Sequence, residues 1–327
     1  MQSVLFQLGH IAFFIVLPVL LMIALGFLLQ RTLSLDMRTL TRLNFYVVVP
    51  AMVYFAVVES AVAPGDVFTV VGFSLLLMIV WGAVAYAVAL ARGVPSDQRR
   101  AMLMTSLFYN AGNYGLPLQE LAFRSAGLSS LAMSLQVFVL IVQNITGFTL
   151  GVVLAAGRLD QGRWKRNLAH IIRFPPLYAL IAAVLTIALR QWLGQRAEFF
   201  ATALRPAWDV VLYAKSGFVV IALVTVGAQL ALVQRTRLRY PVTTSVILRL
   251  LVGPAIALGL LKLLGLTGFV AQVLLISTAT PTSVTCLLLC LEFNNHPDYV
   301  ARTVFFTTIL SPISVTIVIL LAQSGLI

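Results

Sequence analysis

Acidic side chains are scarce in this chain: 10 Asp and Glu stand against 22 Lys and Arg in 327 residues. Charged residues of both signs reach only 10%, against about 25% in an ordinary soluble domain. With 61% hydrophobic residues, a soluble fold would have to show water far more apolar surface than it can hide. The three histidines, His10, His170 and His296, are scattered. The two cysteines, Cys286 and Cys290, lie one helical turn apart in an apolar stretch and read as small core residues without metal-ligand spacing. No nucleophile–base pair, zinc spacing, phosphate-cradling glycine loop or ATPase motif is visible. These gaps argue against an enzyme, a resident metal or cofactor, and an ATP-driven pump.

What is present is length in apolar runs. They fall at roughly 5–30, 40–59, 67–91, 100–125, 129–156, 174–193, 210–233, 241–264, 267–292 and 299–323, each closed by charge, Gly or Pro. About 20 residues of helix cross a bilayer. Backbone amides inside lipid must be satisfied within the segment, and the runs are too long and apolar for barrel strands. The predicted fold class is therefore an all-α polytopic membrane protein of about ten spans. The residues Met1 to Gln7 lack basic side chains and the first run is too long for a cleaved signal, so it reads as a retained helix.

The net charge of +12 would suggest nucleic acid in a soluble protein. Here the basic residues sit in short loops, so the partner they imply is the lipid bilayer. Odd-numbered loops hold 15 of the 22, among them Arg31, Arg38, Arg42, Arg92, Arg99, Arg100 and Arg302. Even-numbered loops hold Arg124, Arg190, Arg196, Arg205 and Lys262. The positive-inside rule then predicts cytoplasmic odd loops and both termini outside. The localisation expected is a bacterial inner membrane.

The longest basic loop divides the chain into residues 1–157, a linker at 158–173, and residues 174–327. Each half holds five spans. With an odd number of spans per half, two repeats must be inverted relative to each other, a common transporter architecture. Span four contains Asn110-Ala111-Gly112-Asn113-Tyr114-Gly115-Leu116-Pro117, and span nine contains Ser277 to Thr285 with Pro281 among hydroxyls. Proline withholds an amide and clashes with the carbonyl four residues back, while glycine removes the steric reason to stay helical. Both interruptions occupy the fourth position of their half, and paired interruptions point to a midplane binding site. Half-helices starting at Leu116 and Thr282 would aim positive dipole ends at the crossing, which suits an anion such as a carboxylate.

At these residues the sequence resembles the auxin efflux carrier family, within the bile acid/arsenite/riboflavin transporter-like group. The matching stretches are Asn44 to Pro50, Asn110 to Pro117, Arg249 to Pro254, Thr280-Pro281 and Thr307 to Pro312, and the short central loop resembles the bacterial branch. The resemblance implies two inverted five-helix repeats with spans four and nine crossing as broken helices. It also implies a scaffold of spans one, two, six and seven, through which members often form homodimers, and a transport domain of spans three to five and eight to ten. The cargo implied is a small organic anion, an auxin-like acid or a dicarboxylate.

The candidate substrate-binding residues are Asn110, Gly112, Asn113, Tyr114, Gly115, Pro117, Thr280, Pro281 and Thr282, with Gln143 and Asn144 from span five either lining the site or bonding between helices. Arg249, near the centre of span eight, needs a partner, because a lone Arg there costs roughly 2.5–3.5 kcal/mol. It reads either as an anion-attracting or domain-locking charge or as a tie to carbonyls exposed by a broken helix. Glu59, ending span two, is a candidate proton carrier if desolvation raises its pKa. Lys215 reads as a snorkelling side chain. The expected function is secondary transport of organic anions by alternating access, powered by membrane potential or by coupling to protons or sodium. A sodium-coupled symporter of the bile acid type is the nearest alternative; a membrane sensor or membrane-embedded enzyme is the alternative of another class.

Overall fold

The computed structural model describes residues 2–59, 62–157, 174–194, 202–233, 240–325 and 327. The predicted linker at 158–173, with His170, lies outside the described residues, as do Arg196, Arg235, Arg237 and Arg239. Among the described residues the chain is helical, without a strand longer than one isolated bridge.

Among the described residues, eight helices are long and apolar enough to cross a bilayer: Phe6–Leu33, Met37–Glu59, Pro64–Ala91, Ser129–Ala156, Pro175–Leu193, Arg205–Leu232, Pro241–Leu263 and Pro297–Gln323. These are spans one, two, three, five, six, seven, eight and ten of the sequence reading. The remaining two are interrupted. Span four runs as Ser96–Leu107, a π turn at Ala111–Gly115 and Leu116–Ala122. Span nine runs as Gly268–Thr278 and Val284–Glu292. The chain is an all-α polytopic membrane protein.

Prolines shape the continuous spans as well. π turns occupy Ala12–Val16, Asn44–Val48, Ala111–Gly115 and Leu248–Val252, and a proline follows each at the second residue beyond its end: Pro18, Pro50, Pro117 and Pro254. A proline cannot donate to the carbonyl four residues back and crowds it. Widening the preceding turn relieves that clash and rotates the side chains on it, a distortion frequent at functional sites. A fifth π turn, Gly147–Gly151, is bounded by glycines instead.

Spans one and seven meet backbone to backbone. A Cβ on Gly26 would lie 2.2 Å from the Val224 carbonyl oxygen, and one on Gly227 would lie 1.9 Å from that of Ile23. Small residues allow such approach in membranes, where packing rather than water exclusion drives helix association. Span two packs on span six, where Tyr54 and Thr186 share a 2.9 Å hydroxyl bond, and on span seven, where Trp208 meets the rings of Tyr54 and Phe55.

Loop contacts agree with alternating crossings. Asp97, in the first turn of span four, lies 2.7 Å from His296 in the loop between spans nine and ten. Asn295 in that same loop donates to Leu154 near the end of span five. These residues belong to odd-numbered loops or their edges and share one face. On the other face, Gln323 at the end of span ten donates to Ala122 at the end of span four.

Candidate functional site

The two interrupted spans cross where both are extended. Tyr109 and Thr282 form an antiparallel bridge: the Asn110 amide donates to the Pro281 carbonyl at 2.8 Å, and the Ser283 amide to that of Phe108 at 3.0 Å. Each break supplies a partner that the other's helix has lost, so the backbone can leave the helix without exposing unpaired groups to lipid.

The helix ends around the bridge are capped residue by residue. Thr282 Oγ1 donates to the Thr105 carbonyl at 2.9 Å. Arg249, wholly buried, donates through Nη1 to the Ser106 carbonyl at 2.9 Å and through Nη2 to the Thr278 carbonyl. Its guanidinium carbon lies 4.0 Å from the centre of the Trp81 ring and 4.7 Å from that of Tyr109. One side chain from span eight thus holds the C-terminal ends of the first half-helices of both broken spans. Of the two sequence readings of Arg249, this geometry is the tie to exposed carbonyls.

A buried amide network lies beside the bridge. Gln136 of span five donates to the Ala111 carbonyl at 2.9 Å, and its Oε1 accepts from Ser277 at 2.6 Å and from Gln119 at 3.3 Å. Gln119 also donates to the Val273 carbonyl at 2.9 Å. The absence of a side chain at Gly115 makes room for this network: a Cβ there would lie 2.6 Å from Gln136 Nε2.

The candidates separate by exposure. Asn110, Gly112, Asn113 and Asn144 are half-buried, whereas Tyr114, Gly115, Pro117, Thr280, Pro281, Thr282 and Gln143 are buried. The Tyr114 hydroxyl accepts from Ser311 at 3.0 Å, and Gln143 Oε1 accepts from the Tyr109 amide at 3.3 Å. Gln143 therefore bonds between helices, and Asn144 donates to Leu140 within its own helix at 2.8 Å. Asn113 Oδ1 accepts from the buried Asn44 Nδ2 at 3.0 Å, joining the π turn of span four to that of span two. Asn44 Oδ1 has no partner among the described residues.

Two expectations need correction. The second half-helix of span nine begins at Val284, not Thr282, and Ser283 caps it by accepting from the Thr285 amide at 3.2 Å. Thr282 is held in the bridge, its amide donating to Thr307 Oγ1 at 3.2 Å. Glu59 is exposed at the end of span two, so the burial its proton-carrier reading requires is absent. Lys215 lies 4.7 Å from the Phe55 ring centre, half-buried along the surface. Sequence reasoning missed Asn44, Gln119 and Gln136 as site residues. The signal for Asn44 was its place two turns before a proline, as with Asn110 and Pro117; for the glutamines it was their polarity within apolar runs.

Residues 163–319 match the family described as membrane transport protein, the family of the auxin efflux carriers. The chain is a membrane transporter. Two relatives are also named as transporters. A protein of Methanothermobacter thermautotrophicus named an uncharacterized transporter is 23% identical over 306 residues, covering 91% of this chain and 94% of its own. One of Methanocaldococcus jannaschii, named likewise, is 24% identical over 213 residues, 64% of each chain. Three of the stretches that carry the family resemblance, around Asn44, Asn113 and Arg249, are proline-directed π turns in the transporter.

Proposed function

We propose that the transporter carries small organic anions, mono- or dicarboxylates or auxin-like acids, with the cargo held at the crossing of spans four and nine. The observation that carries this reading is the half-buried face of the Ala111–Gly115 turn, where Asn113 meets the buried Asn44 beside an open helix start. The first amides of a helix lack acceptors of their own and carry a partial positive charge. A carboxylate accepts from such amides and from the Asn amide group, and the basic side chain nearest the crossing, Arg249, adds a charge of the right sign.

Alternating access follows from the packing. Spans one, two, six and seven hold one another through Gly26, Gly227, Tyr54 and Trp208, which supports a scaffold; Arg249, Gln136 and the bridge hold spans four, five, eight and nine, which supports a moving unit. The Asn44–Asn113 bond joins the two groups and would break as one slides on the other. Span six leaves Tyr178, Ile181, Leu185 and Leu189 exposed, a face for lipid or for a second copy in a scaffold homodimer. With the arginine-rich loops in the cytoplasm, an exported anion gains roughly 2.3 kcal/mol per charge per 100 mV of membrane potential.

Electrogenic flux in proteoliposomes tests the reading, with malate, malonate, succinate and indole acetate, with and without a proton gradient. One acid should give a current that Asn113→Ala abolishes while the protein stays folded. If no anion moves but a neutral or cationic solute does, the carboxylate reading is wrong.

A further inference from the structure

We propose that Arg249 serves as a tethered cation, standing where a bound sodium ion would otherwise be needed, so that the crossing holds its cargo without a coupling metal ion. The half-helices Ser96–Leu107 and Gly268–Thr278 both end at the crossing. Each helix end carries roughly half a negative charge, so together they call for about one positive charge. Arg249 supplies one, bonded to a carbonyl of each end. No carboxylate pairs with it among the described residues, where its guanidinium bonds go to the Ser106 and Thr278 carbonyls. The helix ends are its counter-charge.

Two further features fit a permanent occupant. The guanidinium is flanked by the Trp81 and Tyr109 rings, an arrangement that favours a cation. Trp81 is itself seated by Gly253, whose Cβ would lie 1.9 Å from the ring. A sodium ion at this place would need carbonyl and hydroxyl oxygens, but the Ser106, Thr278 and Thr105 carbonyls accept from Arg249 and Thr282, and their hydroxyls are turned onto the Met102 and Leu275 carbonyls. The guanidinium is covalently fixed to span eight. The positive charge therefore moves with the helices and requires no ion gradient. This inference rests on the crossing being the place where cargo binds, but not on which cargo it is.

The test begins without cargo. Melting of the detergent-solubilised wild type should be the same in sodium chloride and choline chloride, and indifferent to millimolar ethylguanidinium chloride. Arg249→Ala leaves two helix ends without their charge and should melt about 5–15 °C lower. Ethylguanidinium, which restores the missing group, should recover most of that loss in the variant alone. A merely space-filling arginine would give the loss without the recovery, and that result overturns the proposal. So does a wild type that sodium stabilises over choline. Arg249→Lys covers the case in which the alanine variant does not fold: it keeps the charge but cannot span both carbonyls, and should melt below wild type, with sodium still indistinguishable from choline. A sodium-specific rise in that variant's melting point also overturns the proposal. In proteoliposomes, wild-type flux should be equal in sodium and choline; flux that appears only with sodium overturns the tethered-cation reading while leaving the anion reading intact. If no acid is carried at all, the anion reading fails and the melting results still decide on Arg249.

Discussion

The two broken spans solve the same problem with different chemistry. In span four the proline, Pro117, stands inside the second half-helix, and the distortion falls on the glycine- and asparagine-rich turn before it. In span nine Pro281 stands in the break itself, and its neighbours Thr280 and Thr282 are buried. The first break leaves Asn110, Gly112 and Asn113 half-buried; the second turns the Thr280 and Thr282 hydroxyls inward, onto the Ser277 and Thr105 carbonyls. In the proposed reading, span nine braces the crossing and span four presents it to cargo. An amide side chain can serve cargo because it both donates and accepts, whereas a threonine in a membrane helix readily spends its hydroxyl on a nearby carbonyl.

If that division of labour is right, substitutions should separate stability from transport. Beyond Arg249, the largest loss of stability is expected at Gln136, which also serves both breaks at once. Gln136→Leu keeps the volume but strands the Ala111 carbonyl, the Ser277 hydroxyl and the Gln119 amide. Leaving several buried polar groups unpaired costs about 3–5 kcal/mol. Thermal unfolding in detergent measures it; a loss below that of a surface substitution would mean the network is not what holds the breaks together. Thr282→Val removes one donor from the Thr105 carbonyl with little change of shape and should cost about 1–2 kcal/mol. The same measurement checks it, and transport by the folded fraction should persist.

Much of this architecture is legible in the sequence. Lipid demands long apolar helices, so composition and run length yield the spans, and proline with glycine marks span four because few helices tolerate both. The cap chemistry of the breaks is harder to read. Nothing in the neighbourhood of Arg249 says that its partners are the carbonyls of Ser106 and Thr278, which lie 143 and 29 residues away in the chain. Gln136 and Gln119 look like isolated polar residues because their partners also come from other spans. The antiparallel bridge is equally invisible, since one residue pair leaves no period in the sequence. The register of span nine was misread by two residues because any hydroxyl from Thr280 to Ser283 can start a helix, and tertiary bonds decide which one does.

On the presenting side the order of effects should reverse. Asn113→Ala loses one half-buried bond to Asn44 and should cost about 1 kcal/mol of stability or less, yet remove transport. Folded protein with unchanged flux would show that cargo does not meet this turn, and the distinction between bracing and presenting spans would fall.

The smallest effect lies where the broken spans meet again, at the face carrying Asp97 and His296. Asp97 begins span four, and His296 follows span nine, so their 2.7 Å contact ties the two spans outside the membrane. The His296 hydrogen bond, aided by the Gln98 amide, holds the Asp97 carboxyl below its ordinary value of 3.8. A carboxyl with a lowered folded-state pKa contributes stability that is present above its unfolded value and lost as pH falls through the folded one. Because Asp97 is exposed, solvent screens the contact and the contribution is small. Asp97→Asn should therefore melt slightly below wild type at neutral pH, and the gap should close on acidification below 3.8, once both side chains at this position are uncharged. A gap that stays constant into acid would assign the tie to hydrogen bonding that an amide cannot reproduce, leaving the two spans joined at this face by geometry instead of charge.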